Sequence, residues 1–152
     1  MTVEEKLAAL GLALPNPPQP VGNYRPAKRV GNLVFTSGQT ARLNGVRRYV
    51  GKVGAGISEE EAYLSARDST LNCLACVKGV IGDLDLVESI VKLTGYVNSV
   101  DGFTNQPAII NGASDLLEKI FGEAAPHART AISVNALPSN VSVEVEMVVA
   151  VR

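Results

Sequence analysis

The stretch ARTAISVNALPSNVSVEVEMVVAVR (residues 128–152) decides the fold, because it contains two runs of alternating side chains separated by LPSN. Such runs, rich in β-branched residues and divided by a short turn, predict two antiparallel strands joined as a hairpin. Side chains alternate across a strand, so Ile132 and Val134 are expected to share a face with Val143 and Val145. We expect that face to pack against helices.

The opposite face of this predicted hairpin carries Arg129 and Glu144, with Val148 beside the charges. In the register that matches the apolar faces, Glu144 lies opposite Ser133, and Arg129 is roughly 13 Å further along the strand. A salt bridge within one chain is therefore not expected, and each charge is expected to meet a group from another subunit. A solvated face is the alternative, but the half-apolar composition favours a subunit interface that contains a pocket.

The rest of the sequence predicts two further strands, a long helix, a strand and a second long helix. RVGNLVFTSGQT and VRRYVGKV predict strands joined by RLNG. Ser58 and Glu61 have capping-box spacing before the first long helix, and Pro107 and Gly122 mark the start and end of the second. The strand between the helices has Val91 among its expected core residues. The order β-β-α-β-α-β-β indicates an α+β fold with one mixed sheet and both long helices on one face.

The composition is typical of one domain spanning residues 1–152, of which 46% are hydrophobic and 19% charged. Residues 1–20 are expected to add a helix, capped by Thr2, and a proline-rich connector, PNPPQP. A net charge of −1 gives no electrostatic footprint for nucleic acid, and the cluster of Arg42, Arg47 and Arg48 is interpreted as a solvated hairpin edge. With neither a signal peptide nor an apolar run of transmembrane length, we expect a soluble, cytoplasmic protein without a membrane partner.

Several kinds of chemistry find no support in the sequence. His127 is the only histidine, so zinc sites built on several histidines are excluded, and no metal site is predicted. Cys73 and Cys76 have redox spacing but fall in the middle of the first long helix, which favours buried structural thiols. GKVGAG lacks the lysine and hydroxyl residue that end a phosphate loop, and no G-x-S-x-G motif is present.

Three segments resemble one known family: VGNYRPAKRVGNLVFTSGQT, GDLDLVESIVKLTGYVNS and HARTAISVNALPSNVSVEVEMVVAV. The most specific parts are TSGQ and ARTAISVNALP…VSVEVE, in that order, and the resemblance to the Rid (YjgF, L-PSP-like) family covers about residues 20–152. The longer N-terminus and NGASDLL indicate a divergent branch. The resemblance implies a chorismate-mutase-like fold and a homotrimer with three clefts between subunits. It also implies hydrolysis of reactive enamines and imines to 2-oxo acids and ammonia, without a metal or organic cofactor.

The resemblance also assigns roles to individual residues. Arg129 matches the arginine that grips the substrate carboxylate, and Glu144 matches the acid that positions or activates water. Tyr24 matches the aromatic that closes the cleft, although a loop tyrosine that anchors the proline segment is the alternative. Ser37 and Gly38 match a wall of the cleft.

Two positions depart from the family pattern. Ala131 stands where the archetype has cysteine, which leaves a backbone contact to a carboxylate and removes any thiol role. The family asparagine of the second helix matches Asn111 by residue type and Ser114 by counting back from Phe121.

These residues lead to three functional hypotheses. The first is hydrolytic deamination of small 2-imino or 2-enamino acids, and the second is a trimeric protein that binds small carboxylates or regulates without turnover. Ribonuclease activity, which some family members are described as having, ranks third. It could use Glu144 and His127, but no basic track would hold the polymer.

Overall fold

A computed structural model describes residues 1–20 and 22–152, and its core is a five-stranded sheet in the order β1-β2-β9-β7-β8. The strands are β1 (Ala27–Val30), β2 (Leu33–Thr36), β3 (Arg42–Leu43), β4 (Val46–Arg47), β5 (Lys52–Val53), β6 (Gly56–Ile57), β7 (Val87–Asn98), β8 (Ala128–Val134) and β9 (Val143–Val151). The helices are α1 (Val3–Ala9), α2 (Glu59–Ile81) and α3 (Gln106–Phe121). Buried side chains of α2 and α3 join those of β7 and β9 in one hydrophobic core. The predicted α+β order and the two helices on one face are confirmed.

The predicted terminal hairpin is wrong, because β7 lies between β8 and β9. β8 follows α3 and pairs with β7 in parallel, whereas β9 pairs with the other edge of β7 in antiparallel. The connecting loop crosses the end of β7, where the buried Asn98 donates from Nδ2 to Asn140 Oδ1 and to Val141 O, both at 3.0 Å. An alternating pattern indicates a half-buried strand but does not indicate which strand lies beside it. The prediction paired β8 with β9 because they are neighbours in sequence, whereas β8 pairs with β7.

The predicted faces of β8 are also reversed. Tyr96 of β7 lies opposite both Ile132 and Glu144, so these three side chains share the face away from the helices. Ile132 is accordingly 45% exposed, whereas Ala131 packs against the core. Arg129, two residues from Ala131, therefore points to the helix side.

A close approach of α3 explains this orientation. A Cβ atom at Gly95, which lies opposite Ala131, would come within 2.4 Å of Ile110 Cδ1. Ile110 therefore leaves little room at Gly95, and the small Ala131 on the neighbouring strand packs on this side rather than Ile132.

Local signals placed the helices well. Thr2 and Ser58 both form the predicted capping boxes, and α3 starts with proline in its first turn and ends at Gly122, whose φ is 57°. Val91, however, is 38% exposed, since a register shift between Ile90 and Lys92 excludes it from the ladder and puts Ile90 in the core.

The predicted first hairpin divides into two shorter ones. β1 and β2 pair across a turn at Gly31, whose φ is 59°, inside the segment predicted as one strand. β3 and β4 pair across Asn44 and Gly45, both with positive φ, as the Asn-Gly pair favours. Val3 and Leu7 of α1 are buried in the same core as the sheet.

We predict that Gly112→Ala destabilises the fold severely. A Cβ at residue 112 of α3 would lie 2.0 Å from the carbonyl oxygen of Tyr63 in α2, so the two helix backbones would have to separate. Overpacking of this kind costs roughly 1–3 kcal/mol, and a backbone clash belongs at the upper end. Urea unfolding checks it.

The control for this prediction is Gly79→Ala in α2, where an added Cβ meets nothing within 4 Å. Alanine is the better helix former, so this change should leave stability unchanged or raise it by up to about 1 kcal/mol. Equal unfolding midpoints for the two variants would show that the helices do not meet at Gly112.

Candidate functional site

A cleft of about 350 Å³ opens beside β9, and Tyr24, Gly38 and Glu144 are among the residues that line it. The TSGQ segment that follows β2 shapes one wall. Gln39 exchanges backbone hydrogen bonds with Val145, N to O at 2.8 Å and O to N at 2.9 Å, so the segment lies alongside β9. Three of the residues that the resemblance assigned to a cleft are thus in one place.

Residue 38 must be glycine because the Glu144 side chain lies too close to leave room for a Cβ atom. A Cβ at residue 38 would lie 2.8 Å from Glu144 Oε2 and 2.9 Å from its Cδ. Ser37, the neighbouring candidate, donates from Oγ to Arg25 O at 2.6 Å, so its side chain fixes the segment that leads into β1. Gly38 therefore leaves room for the Glu144 carboxylate, and Ser37 fixes the backbone of the cleft wall by its hydrogen bond to Arg25.

Glu144 is a half-buried acid in this cleft. Burial, and secondly the charge of nearby Glu146, raise the pKa of the Glu144 carboxyl above its ordinary value. Glu146 accepts a hydrogen bond of 2.7 Å from Tyr96 Oη, and this bond together with burial raises the pKa of Tyr96 to about 12. Such an environment is suited to a carboxylate that takes up and releases a proton.

Arg129 lies on the other face of the sheet, where α3 holds its guanidinium. Nη1 donates to Asn111 Oδ1 at 2.8 Å and to Ser114 Oγ at 3.2 Å, and Nη2 lies 3.5 Å from Pro107 O. The two alternatives for the α3 residue therefore both contact Arg129.

His127 extends this cluster, a role that the sequence reasoning missed. Its Nδ1 lies 2.6 Å from Ala125 O, which can only accept, so Nδ1 carries the proton. Nε2 lies 2.9 Å from Ser114 Oγ, and the Ser114 oxygen also accepts from Arg129. The H-A-R spacing was the available signal, because residues two apart on a strand share a face.

Arg129 and Glu144 do not meet within one chain. β7 separates their strands, and Arg129 faces the helices whereas Glu144 faces away from them. The expectation that they do not form a salt bridge in one chain agrees with this geometry, but the reason differs: the side chains lie on opposite sheet faces.

In the part of the chain that the structure describes, the histidine, cysteine, aspartate and glutamate side chains form no group of three that could hold a metal ion. Both cysteines are buried, and burial raises the pKa of Cys76 to about 11, which confirms structural thiols. Among these described residues, no helix is long and apolar enough to cross a membrane.

Comparisons with known proteins agree with the fold. A family model described as "YjgF/chorismate_mutase-like, putative endoribonuclease" matches residues 4–150. A solved structure of a "putative endoribonuclease" from Shewanella oneidensis is similar with a TM-score of 0.95 and 36% identity, covering 99% of this chain and 100% of that one.

Two curated relatives extend the comparison. Protein TCP17 of Trypanosoma cruzi is 36% identical over 148 residues, which are 97% of this chain and 92% of the relative. A 2-iminobutanoate/2-iminopropanoate deaminase of Dermatophagoides farinae is 28% identical over 143 residues, 93% of this chain and 95% of the relative. With a family model that matches nearly its whole length, this chain belongs to the YjgF/chorismate mutase-like family, the Rid family that its sequence resembles.

Proposed function

We propose that this protein hydrolyses reactive 2-imino and 2-enamino acids to 2-oxo acids and ammonia in a cleft between subunits. The observation that carries the proposal is the arrangement of two groups: a half-buried Glu144 with raised pKa, and a guanidinium that α3 orients. A relative with 28% identity is named as a deaminase of this kind, which supports the proposal. The reaction needs no metal or organic cofactor.

The proposal requires that a neighbouring copy complete the cleft, and we propose a homotrimer. The sheet face that carries Glu144 also exposes three large apolar side chains: Val30 at 58%, Phe35 at 44% and Ile132 at 45%. Apolar surface around a few charged groups is the composition of a subunit interface. β8 lies at the edge of the sheet, so Arg129 is placed where it can reach a neighbour.

In this mechanism Arg129 binds the carboxylate of the imino acid. A guanidinium presents a planar fork of donors that matches a carboxylate, and Asn111 with Ser114 fixes its orientation in advance. The imine carbon is then held over the Glu144 cleft of the adjoining subunit. Positioning of this kind is the main contribution needed, because the substrate is already electrophilic.

Glu144 moves the protons. Its carboxylate takes a proton from water as the oxygen adds to the carbon of the protonated imine, which gives a carbinolamine. The carboxyl then donates this proton to the amine nitrogen; as the C–N bond breaks, the carboxylate takes the proton of the hydroxyl group, the C=O bond forms, and ammonia and the 2-oxo acid leave. A raised pKa favours both halves of this exchange near neutral pH.

An assay of imine hydrolysis tests the proposal. We predict that Arg129→Ala lowers kcat/KM roughly 10- to 100-fold, which is the cost of a lost charged hydrogen bond. The kcat/KM of Arg129→Lys should lie between those of the wild type and Arg129→Ala. Ammonia or 2-oxo acid release from enzymatically generated imines measures it, with the uncatalysed rate subtracted.

The exposed Arg152 provides the matched control, since Arg152→Ala removes a positive charge far from the cleft and should leave kcat/KM unchanged. Full activity of Arg129→Ala would remove the carboxylate role. If the wild-type protein does not exceed the uncatalysed rate on any imine, the binding or regulatory hypothesis replaces deamination.

The pH dependence tests the role of Glu144. A base must be deprotonated, so we expect kcat/KM to rise as the pH increases through the raised pKa of Glu144. Glu146→Gln keeps an acceptor for Tyr96 and removes the charge that raises this pKa, so the acid limb should move to lower pH. The exposed Glu88→Gln is the control and should not move it. An acid limb of Glu146→Gln that stays at the wild-type pH or moves to higher pH would contradict the role of Glu144 as the base.

A further inference from the structure

The cleft beside Glu144 is lined by two arginines that the imine mechanism does not use. Arg42 and Arg47 both line it, together with Tyr24 and Gly38. They lie directly opposite each other in the β3–β4 pair, so their side chains leave the same face of this ribbon. Both residues are exposed, as predicted for a solvated hairpin edge, and so is Arg48, whose guanidinium lies 5.5 Å from the ring centre of Tyr49.

The ribbon that carries the two arginines is fixed at its base and at its tip. The buried Asn72 of α2 donates from Nδ2 to Thr40 O at 2.8 Å and to Arg42 O at 2.6 Å. At the tip, Asn44 Oδ1 accepts from the backbone of Asn16 at 3.0 Å. Arg42 and Arg47, which line the cleft, thus lie on a backbone with defined partners.

The charges of this pair are not balanced within the described residues. Like charges directly opposite each other in a strand pair are destabilising. The ion pairs found in residues 1–20 and 22–152 involve Arg67, Lys78 and Arg152, and neither Arg42 nor Arg47 donates a side-chain hydrogen bond there. An anion bound between the two would remove the repulsion.

We propose that Arg42 and Arg47 bind a second carboxylate of the substrate, so that the preferred substrates are acidic 2-imino acids derived from dicarboxylic amino acids. The inference rests on the proposed function: Arg129 of a neighbour takes the 2-carboxylate, Glu144 serves the imine carbon, and the ribbon takes the side-chain carboxylate.

The test compares 2-iminoglutarate with 2-iminopentanoate, made by oxidation of glutamate and norvaline. These imines have similar shape, and one ends in a carboxylate where the other ends in a methyl group. Wild-type kcat/KM should be at least about tenfold higher for 2-iminoglutarate. Arg42→Gln with Arg47→Gln should lower it roughly 10- to 100-fold for that substrate and less than about twofold for 2-iminopentanoate.

Arg48→Gln is the control for each single substitution, because it removes one positive charge next to the same ribbon, at a residue that is not among those lining the cleft. It should change neither substrate's kcat/KM, and thermal melts should show that all variants are folded. Equal rates on both imines, or equal effects of Arg48→Gln and the double variant, overturn the inference while leaving deamination intact.

A binding measurement separates this inference from the proposed function. Calorimetry with 2-oxoglutarate and 2-oxopentanoate needs no turnover, and the dicarboxylate should bind at least about tenfold more tightly, in a manner that requires Arg42 and Arg47. Such binding without imine hydrolysis would reject deamination and retain the acidic ligand class. Equal affinities for 2-oxoglutarate and 2-oxopentanoate would reject the inference.

Discussion

The parallel pairing of β8 with β7 is the constraint on which the rest of the structure depends. It places β7 between the two strands that carry the candidate site residues, with Leu93 opposite both Arg129 and Met147. These three side chains therefore share the helix side of the sheet, whereas Glu144 lies on the other side. The close approach of Ile110 of α3 to Gly95 suits this choice of face, because the small Ala131 lies opposite Gly95. A single chain thus carries the two proposed half-sites on opposite faces of its sheet.

Each half-site is organised before any ligand binds. On the helix side, Asn111, Ser114 and His127 hold the Arg129 guanidinium through a connected set of hydrogen bonds. On the other side, Gly38 allows the backbone to approach the Glu144 carboxylate, and burial disfavours its charged form. Joining the halves across a subunit boundary would complement the charge of a carboxylate substrate at one end and supply a proton carrier at the other.

Local sequence signals predicted what depends on local physics. Ser58 and Glu61 predicted the start of α2 correctly, and Gly122 predicted the end of α3 correctly. Both predictions succeeded because capping involves residues only a few positions apart. Tyr24, Gly38 and Glu144, which the family motifs assign to a cleft, line one cleft of the structure, and their roles there stay predictions. The partner of β8 could not be predicted, since alternation is the same whether a strand is flanked by one neighbour or another. The prediction that Val91 lies in the core was wrong for a related reason. A β-bulge shifts the alternation of side chains along β7, and the position of the bulge depends on how β7 pairs with β9.

The central claim is that the site is divided between subunits, and mixed assemblies of Arg129→Ala and Glu144→Gln chains test it most directly. The two impaired chains, co-expressed with different affinity tags and purified through both, should give trimers in which one of three clefts combines an intact Arg129 with an intact Glu144. We predict that these mixed trimers recover about a third of the wild-type rate of imine hydrolysis, because each cyclic interface joins the Glu144 side of one chain to the Arg129 side of the next. A rate no higher than the average of the two variants alone, or a failure to recover any assembly with both tags, would contradict the account.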